Sequence, residues 1–276
     1  MNLAQSLSFR LANHVRTSTL AAGAVGPLVS FSFDDAPASA AAIGAPILED
    51  HGVRGTFYLN GELLGQQGDY LPLLDRAQAA RLARMGHEIG CHTFSHSDVR
   101  RHSWRSLSAG IDKNAASLAE FSVGGAPRSF AYPFGGISLT AKLRLQSRFD
   151  TCRGIYSGLN SGKIDLGHLR AVSLASDTLS LGEVRRWIAH AVAEKGWLIF
   201  FTHDVGDHPT VCGVTPDYLN QCVAAAVAAG CRCLPVTDAA DRIRTTTRLG
   251  YGDGVSARVR RVRYRRDRWA PAVPGP

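Results

Sequence analysis

The chain alternates between short apolar runs and longer segments in which apolar residues recur every three or four positions. The short runs predict strands and the longer segments predict helices. The predicted strands are, in chain order, LVSFSF, VRGTFYLNG, HEIGCHTFSH, PRSFAYPFGG, FDTCRGI, LRAVSLA, WLIFFTHD and CRCLPV. The predicted helices are SAAAIGAPILEDHG, LPLLDRAQAARLARMG, WRSLSAGIDKNAASLAEF, LGEVRRWIAHAVAEKG and PDYLNQCVAAAVAAG. This alternation predicts an α/β fold with a parallel sheet, and the number of units favours a barrel.

Carboxylates and imidazoles follow several of these strands at the point where the strand ends. They are Asp34, Asp35, His92, His96 and His203. In a (β/α) barrel the C-terminal ends of the strands meet on one face, so these side chains are expected to converge there. One carboxylate with two imidazoles suits Zn²⁺ with an open position, and the other two groups suit a base and an acid.

Each of these features also has a simpler explanation. Adjacent aspartates after a strand can cap the next helix, and a histidine pair four residues apart can lie in the core or in solvent. These explanations account for each feature alone, whereas a metal-dependent hydrolase accounts for all of them together. The combination therefore favours hydrolytic chemistry.

The net charge of +8 arises from one end of the chain. From Arg242 onward there are ten arginines and two aspartates, so the remainder is formally neutral. A neutral barrel disfavours a nucleic-acid partner. The Arg-rich segment 244–276 is expected to be a flexible tail, either solvated or in contact with an anionic surface such as lipid headgroups.

Targeting and redox signals are weak. Residues 1–27 predict a helical lead-in to a catalytic domain at 28–243, without a convincing cleavage pattern, and no apolar run is long enough for a membrane span. These features predict a cytoplasmic protein, with membrane association through the basic tail as an extension. Six cysteines without a CxxC pair favour reduced thiols over a disulfide scaffold or a soft-metal site.

Four segments resemble the successive motifs of a known family, in order and in spacing. The segments SFSFDD, GHEIGCHTFSH, FAYPFG and WLIFFTHD are similar to motifs of the polysaccharide deacetylases, the NodB-homology domains of carbohydrate esterase family four. The resemblance implies a distorted (β/α)7-type barrel. It also implies metal-dependent removal of N-acetyl groups from N-acetylhexosamine-containing glycans, oligosaccharides or sugar lipids.

The same resemblance implies a role for each motif residue. By position, Asp35, His92 and His96 would hold a divalent metal, with Zn²⁺ the expected ion. Asp34 matches the catalytic base and His203 the general acid. The backbone N–H of Phe134 matches an oxyanion donor.

The chain departs from the family pattern at two points. Ala131 stands where many members carry an arginine that orients the base, and Arg128 or Arg170 is the expected substitute. The motif that tethers the acid histidine is not recognisable, with Asp150 and Asp177 as candidates. These departures leave two alternatives, a hydrolase of another non-peptide C–N amide bond and a catalytically silent carbohydrate-binding homologue.

Overall fold

The computed structural model describes residues 8, 11–21, 26–35, 37–68 and 71–250. Its strands follow the apolar runs of the sequence. They are β1 (Thr19–Ala21), β2 (Leu28–Phe33), β3 (Thr56–Leu59), β4 (Glu88–Cys91), β5 (Ser129–Ala131), β6 (Thr151–Arg153), β7 (Lys163–Asp165), β8 (Val172–Ser173), β9 (Trp197–Thr202) and β10 (Arg232–Cys233). All six residues of β2 and all six of β9 are buried, as expected of strands at the centre of a parallel sheet.

The main sheet is parallel and curls into a barrel. Its strand order is β6-β5-β4-β3-β2-β9-β8, and β10 pairs with β2. The segment before β8 closes the barrel, because the Leu169 N–H donates to Cys152 O and the Gly154 N–H donates to Leu169 O, at 2.8 and 2.9 Å. The predicted distorted (β/α) barrel is therefore confirmed.

Helices connect the strands and cover the outside of the barrel. They are α1 (Ala45–Asp50), α2 (Arg76–Arg84), α3 (Trp104–Leu118), α4 (Leu139–Leu145), α5 (Leu181–Ala193), α6 (Pro216–Ala228) and α7 (Val236–Gly250). Asp75 and Ser180 begin α2 and α5 with reciprocal capping boxes. Such caps satisfy backbone N–H groups that have no partner inside the helix.

Helix α7 lies across the N-terminal ends of the strands. The Val236 N–H donates to Thr56 Oγ1 at 2.9 Å, and the Thr237 N–H donates to Glu88 Oε2 at 3.0 Å. Thr56 and Glu88 are the first residues of β3 and β4. The same helix buries Val236, Ala239, Ala240 and Ile243 against Leu28 and Trp197. One end of the barrel is thus covered, and the end where the motif residues lie stays open.

The chain before β2 packs against the barrel. Strand β1 pairs antiparallel with β7, and the fully buried Lys142 donates to the carbonyls of Ala12 and Val15, each at 2.7 Å. The Lys142 ammonium also contacts Asp165 Oδ2 at 2.6 Å. The segment expected as a helical lead-in is helical at residues 11–14, also contains a strand, and is anchored by a buried charge.

The expected domain end at residue 243 falls inside α7, which continues through Gly250. Arg244 pairs with Asp241 and donates to Asp150 O, so this residue belongs to the fold. The rest of the Arg-rich segment, residues 251–276, lies outside the described residues. Within the described ranges, no helix combines the length and the apolar character that a bilayer crossing needs.

Candidate active site

Three predicted ligands meet at the open end of the barrel. Asp35 Oδ1 lies 3.2 Å from His92 Nε2 and 3.1 Å from His96 Nε2. Asp35 follows β2, while His92 and His96 follow β4, so the two strands bring the groups together from distant parts of the sequence. When the carboxylates, imidazoles and thiols of the described residues are compared, Asp35, His92 and His96 are the group whose ligand atoms lie close enough together to share one cation. The cysteines do not form such a group there.

The local contacts of these side chains suit metal binding. The His92 Nδ1–H donates to Ala131 O at 2.9 Å, which leaves Nε2 unprotonated and aimed at Asp35. Asp35 Oδ1 is buried, and no described residue gives it a hydrogen bond of good geometry. A buried carboxylate oxygen beside two imidazole nitrogens fits a divalent cation such as Zn²⁺.

The backbone at this end of the barrel is locally strained. Among described residues other than glycine, five have positive φ, and four of them lie here. They are Asp35, Thr93, His96 and Phe134, at φ 57°, 64°, 50° and 57°. Such conformations cost about 1–3 kcal/mol each and persist where the surrounding fold enforces them. Their concentration around the cluster supports it as the candidate functional site.

Charge interactions inside the cluster oppose the effect of burial. Burial alone would raise the pKa of Asp35, but the close contact with His92 and the nearby imidazoles of His96 and His203 lower it well below its usual range. Burial lowers the pKa of His96, and the nearby His92 lowers it further. Both shifts favour the ligand forms, a carboxylate and a neutral imidazole.

Asp34, the predicted base, is buried and paired with a buried arginine. The Asp34 N–H donates to Thr202 O at 2.9 Å, which fixes the backbone at the end of β2. The Asp34 carboxylate accepts a hydrogen bond from Nη2 of Arg153, a fully buried residue at the end of β6. The pair neutralises a charge that would otherwise be costly to bury.

The two arginines expected to orient the base do not contact it. Arg128 lies just before β5, at the opposite end of the barrel, and pairs with Asp150 and Asp241, each at 2.8 Å. The Arg170 guanidinium donates to Ser157 O instead. The expectation for Arg128 and Arg170 was therefore wrong, because Arg128 lies at the other end of the barrel and Arg170 is an exposed residue held by the Ser157 carbonyl.

Arg153 lies beside Ala131, the position at which the family pattern predicted an arginine. In the register of β5 against β6, Arg153 pairs directly with Ala131, where many family members carry an arginine. Residues opposite each other on neighbouring strands point to the same face, so Arg153 supplies a positive charge from β6 at the same height as position 131 on β5. The available sequence signal was an arginine at the end of the apolar run FDTCRGI.

His203 and Phe134 complete the set of predicted site residues. His203 Nε2 lies 3.9 Å from Asp35 Oδ2, and the Phe134 ring contacts the His96 ring at 4.3 Å between centroids. The His203 N–H donates to Cys212 O, which anchors the loop after β9. His203 and Phe134 therefore lie at the same mouth as the ligand cluster.

The expected tether of His203 is not found among the described residues. His203 Nδ1 is buried without a hydrogen-bond partner there. Asp150 pairs with Arg128, and no contact joins Asp177 to His203. The imidazole is held by packing, with the Phe201 ring at 6.4 Å between centroids.

Comparisons with known proteins point to one family. The polysaccharide deacetylase family profile matches residues 23–148, just under half of the chain. A chitin deacetylase from Pestalotiopsis sp. is 37% identical over 70 residues, which are 25% of this chain and 22% of that protein. The chain covers between 14% and 30% of the length of the curated relatives that it matches.

Solved structures with the same fold align over most of the chain. A peptidoglycan N-acetylglucosamine deacetylase aligns with a TM-score of 0.55 and 19% identity, over 79% of this chain and 90% of that chain. A mutant of a pseudoenzyme of carbohydrate esterase family four gives 0.55 and 14%, over 84% of this chain and 74% of that chain. At these identities the likeness establishes the barrel fold and leaves the activity to be argued from the site.

Proposed function

We propose that this protein is a metal-dependent hydrolase of N-acetyl groups on sugars, a proposal supported by the match of the polysaccharide deacetylase family profile to residues 23–148. The observation that carries the proposal is the convergence of Asp35, His92 and His96 beside Asp34 and His203. Asp35, His92 and His96 would hold the cation, for which Zn²⁺ is the proposed ion. That cation would act as a Lewis acid on the acetyl carbonyl and lower the pKa of a water molecule.

The protein side chains supply the proton transfers. A carboxylate oxygen of Asp34 accepts the proton of the attacking water, and Arg153 holds that carboxylate in place from inside the barrel. His203 Nε2 donates a proton to the departing amine, which would otherwise be a poor leaving group. The Phe134 N–H stabilises the oxyanion that develops on the acetyl oxygen, and one such donor is typically worth a factor of about 100 or more in rate.

The proposed substrates are N-acetylhexosamine-containing glycans, oligosaccharides or sugar lipids. Among the relatives, one is named as a chitin deacetylase and another as a peptidoglycan N-acetylglucosamine deacetylase, so both act on N-acetylated carbohydrate. The common requirement is an acetamido group on a sugar ring, which the site supports through its cation ligands, base and acid. From the sequence alone, we predict a cytoplasmic location and contact of the basic tail with an anionic surface.

The proposal is tested by acetate release from a panel of N-acetylated sugars. The panel contains N-acetylglucosamine oligomers, peptidoglycan fragments, an N-acetylated sugar lipid and small non-sugar amides. We expect release from at least one sugar, abolished by a chelator and restored by Zn²⁺. Asp34→Asn is expected to retain Zn²⁺ and lose turnover.

The same panel separates the two alternatives. Release of amine only from the non-sugar amides would assign the site to another C–N bond. A protein that binds an N-acetylated sugar without releasing acetate, with or without Zn²⁺, would be a silent carbohydrate-binding homologue. Failure to take up any divalent cation would refute the metal-dependent mechanism.

A further inference from the structure

The guanidinium of Arg153 lies between two aromatic rings in the interior of the barrel. Its Cζ is 5.1 Å from the centroid of the Tyr58 ring and 5.0 Å from that of the Phe201 ring. Tyr58 is on β3 and Phe201 on β9, and all three residues are buried. Both distances fall within the range of a favourable cation–π contact.

Hydrogen bonds alone hold this guanidinium incompletely. Nη2 donates to Asp34, and Nη1 makes only a long contact of 3.4 Å with Gly154 O. Nε has no hydrogen-bond partner among the described residues. An arginine fork has five N–H donors, so its orientation here depends on the two rings as well as on Asp34.

The same rings also contact residues on the other sides of the site. Tyr58 lies 6.4 Å from the His92 ring, and Phe201 lies 6.4 Å from the His203 ring, between centroids. Each ring therefore joins Arg153 to another member of the site, Tyr58 to a predicted metal ligand and Phe201 to the predicted acid. A shift of either ring would change the position of Arg153 relative to Asp34.

We propose that Tyr58 and Phe201 are positioning residues that clamp Arg153 and thereby hold Asp34 in the orientation for proton abstraction. The inference rests on the proposed function, since it assigns a role in that reaction. In this clamp, the guanidinium of Arg153 contacts the faces of the two aromatic rings. The Tyr58 hydroxyl makes no hydrogen bond to Arg153 or to Asp34, so the ring, rather than the hydroxyl, carries the role.

Matched variants separate positioning from simple packing. Tyr58→Phe keeps the ring, whereas Tyr58→Leu and Phe201→Leu remove one face of the clamp. Phe31→Leu is the control, because Phe31 is a buried ring that stacks on Phe200 in the principal hydrophobic core. All variants are compared as Zn²⁺-loaded protein for kcat, KM, Zn²⁺ affinity and melting temperature.

We expect Tyr58→Leu and Phe201→Leu each to lower kcat about tenfold, the change expected when one cation–π contact in a dry site is lost. KM and Zn²⁺ affinity should stay near the wild-type values. Tyr58→Phe should retain kcat, and Phe31→Leu should lower the melting temperature while retaining kcat. Wild-type kcat in both leucine variants, or an equal loss in Tyr58→Phe and Tyr58→Leu, would overturn the proposal.

A second measurement does not depend on turnover. Arginine side-chain NMR of the Zn²⁺-loaded protein, with Arg153 assigned from Arg153→Met, reports rotation of the guanidinium. Rotation should be hindered in the wild type and in Tyr58→Phe and faster in Tyr58→Leu and Phe201→Leu. If no N-acetylated sugar is turned over, the proposed function fails, yet this experiment still decides whether the clamp exists. Unchanged rotation in both leucine variants refutes it, and if Tyr58→Leu does not fold, Phe201→Leu alone provides the test.

Discussion

Moving the arginine from position 153 on β6 to position 131 on β5 tests whether Arg153 does the work of the arginine that the family pattern places at position 131. Arg153→Met removes a fully buried cation from a carboxylate whose side chain is 5% exposed. Leaving one charge of a buried pair without its partner typically costs about 3–5 kcal/mol of stability. Misplacing a general base forfeits much of a contribution that is typically about 10²–10⁴ in rate, so we expect kcat to fall by about 100-fold.

The double variant Ala131→Arg/Arg153→Met should recover most of the lost rate. The two positions are directly paired between β5 and β6, and adjacent strands lie only about 4.8 Å apart, within reach of a flexible arginine side chain. The assay is acetate release by Zn²⁺-loaded protein, with melting temperature and Zn²⁺ content measured in parallel. A folded, Zn²⁺-loaded Arg153→Met variant with wild-type kcat would refute the reasoning. So would a double variant that is folded and loaded but no faster than the single one.

Three further predictions concern stability. Lys142→Met should leave the Asp165 carboxylate without its buried cation, lower the free energy of unfolding by about 3 kcal/mol and expose the segment before β2 to protease; an unchanged digestion pattern would contradict this. Glu49→Gln should lower the stability of the protein at neutral pH. Burial would raise the pKa of Glu49, but hydrogen bonds from His87 and Arg81 lower it below 4.5, so the folded state favours the carboxylate. The wild type should melt at a higher temperature than Glu49→Gln above pH 4.5. This difference in melting temperature should shrink as the pH falls through the lowered pKa and be absent in more acidic solution. A chain ending at residue 243 should be less stable than one ending at Gly250, because residues 244–250 carry the last turns of α7; equal melting temperatures would show that those turns add nothing.

The pattern of apolar runs and polar strand ends was sufficient to predict most of the fold and the face of the barrel on which the candidate site residues lie. Period-two and period-3.6 patterns are local properties of the chain, and a parallel barrel brings its strand ends to one face whatever the loops between them do. That is why Asp34, Asp35, His92, His96 and His203 could be expected on one face from the sequence pattern, whereas the family resemblance selected Asp35, His92 and His96 among them as the expected ligands. The helices α4 and α7 and the strands β1 and β7 were not predicted. Helix α4 has only seven residues and most residues of α7 are polar, while β1 and β7 have three residues each and pair with one another across a long stretch of sequence.

The partner of Asp34 required the tertiary structure. Sequence proximity favoured Arg128, but a residue at the start of a strand lies at the far end of the barrel from the residues that follow the strands. Arg153 is distant from Asp34 in sequence and reaches it because β6 places it beside Ala131 in register. The sequence by itself determined which chemical groups are present and which strands they follow. Only the closed barrel decided which charge lies next to which, because register and strand direction, rather than separation along the chain, set those distances.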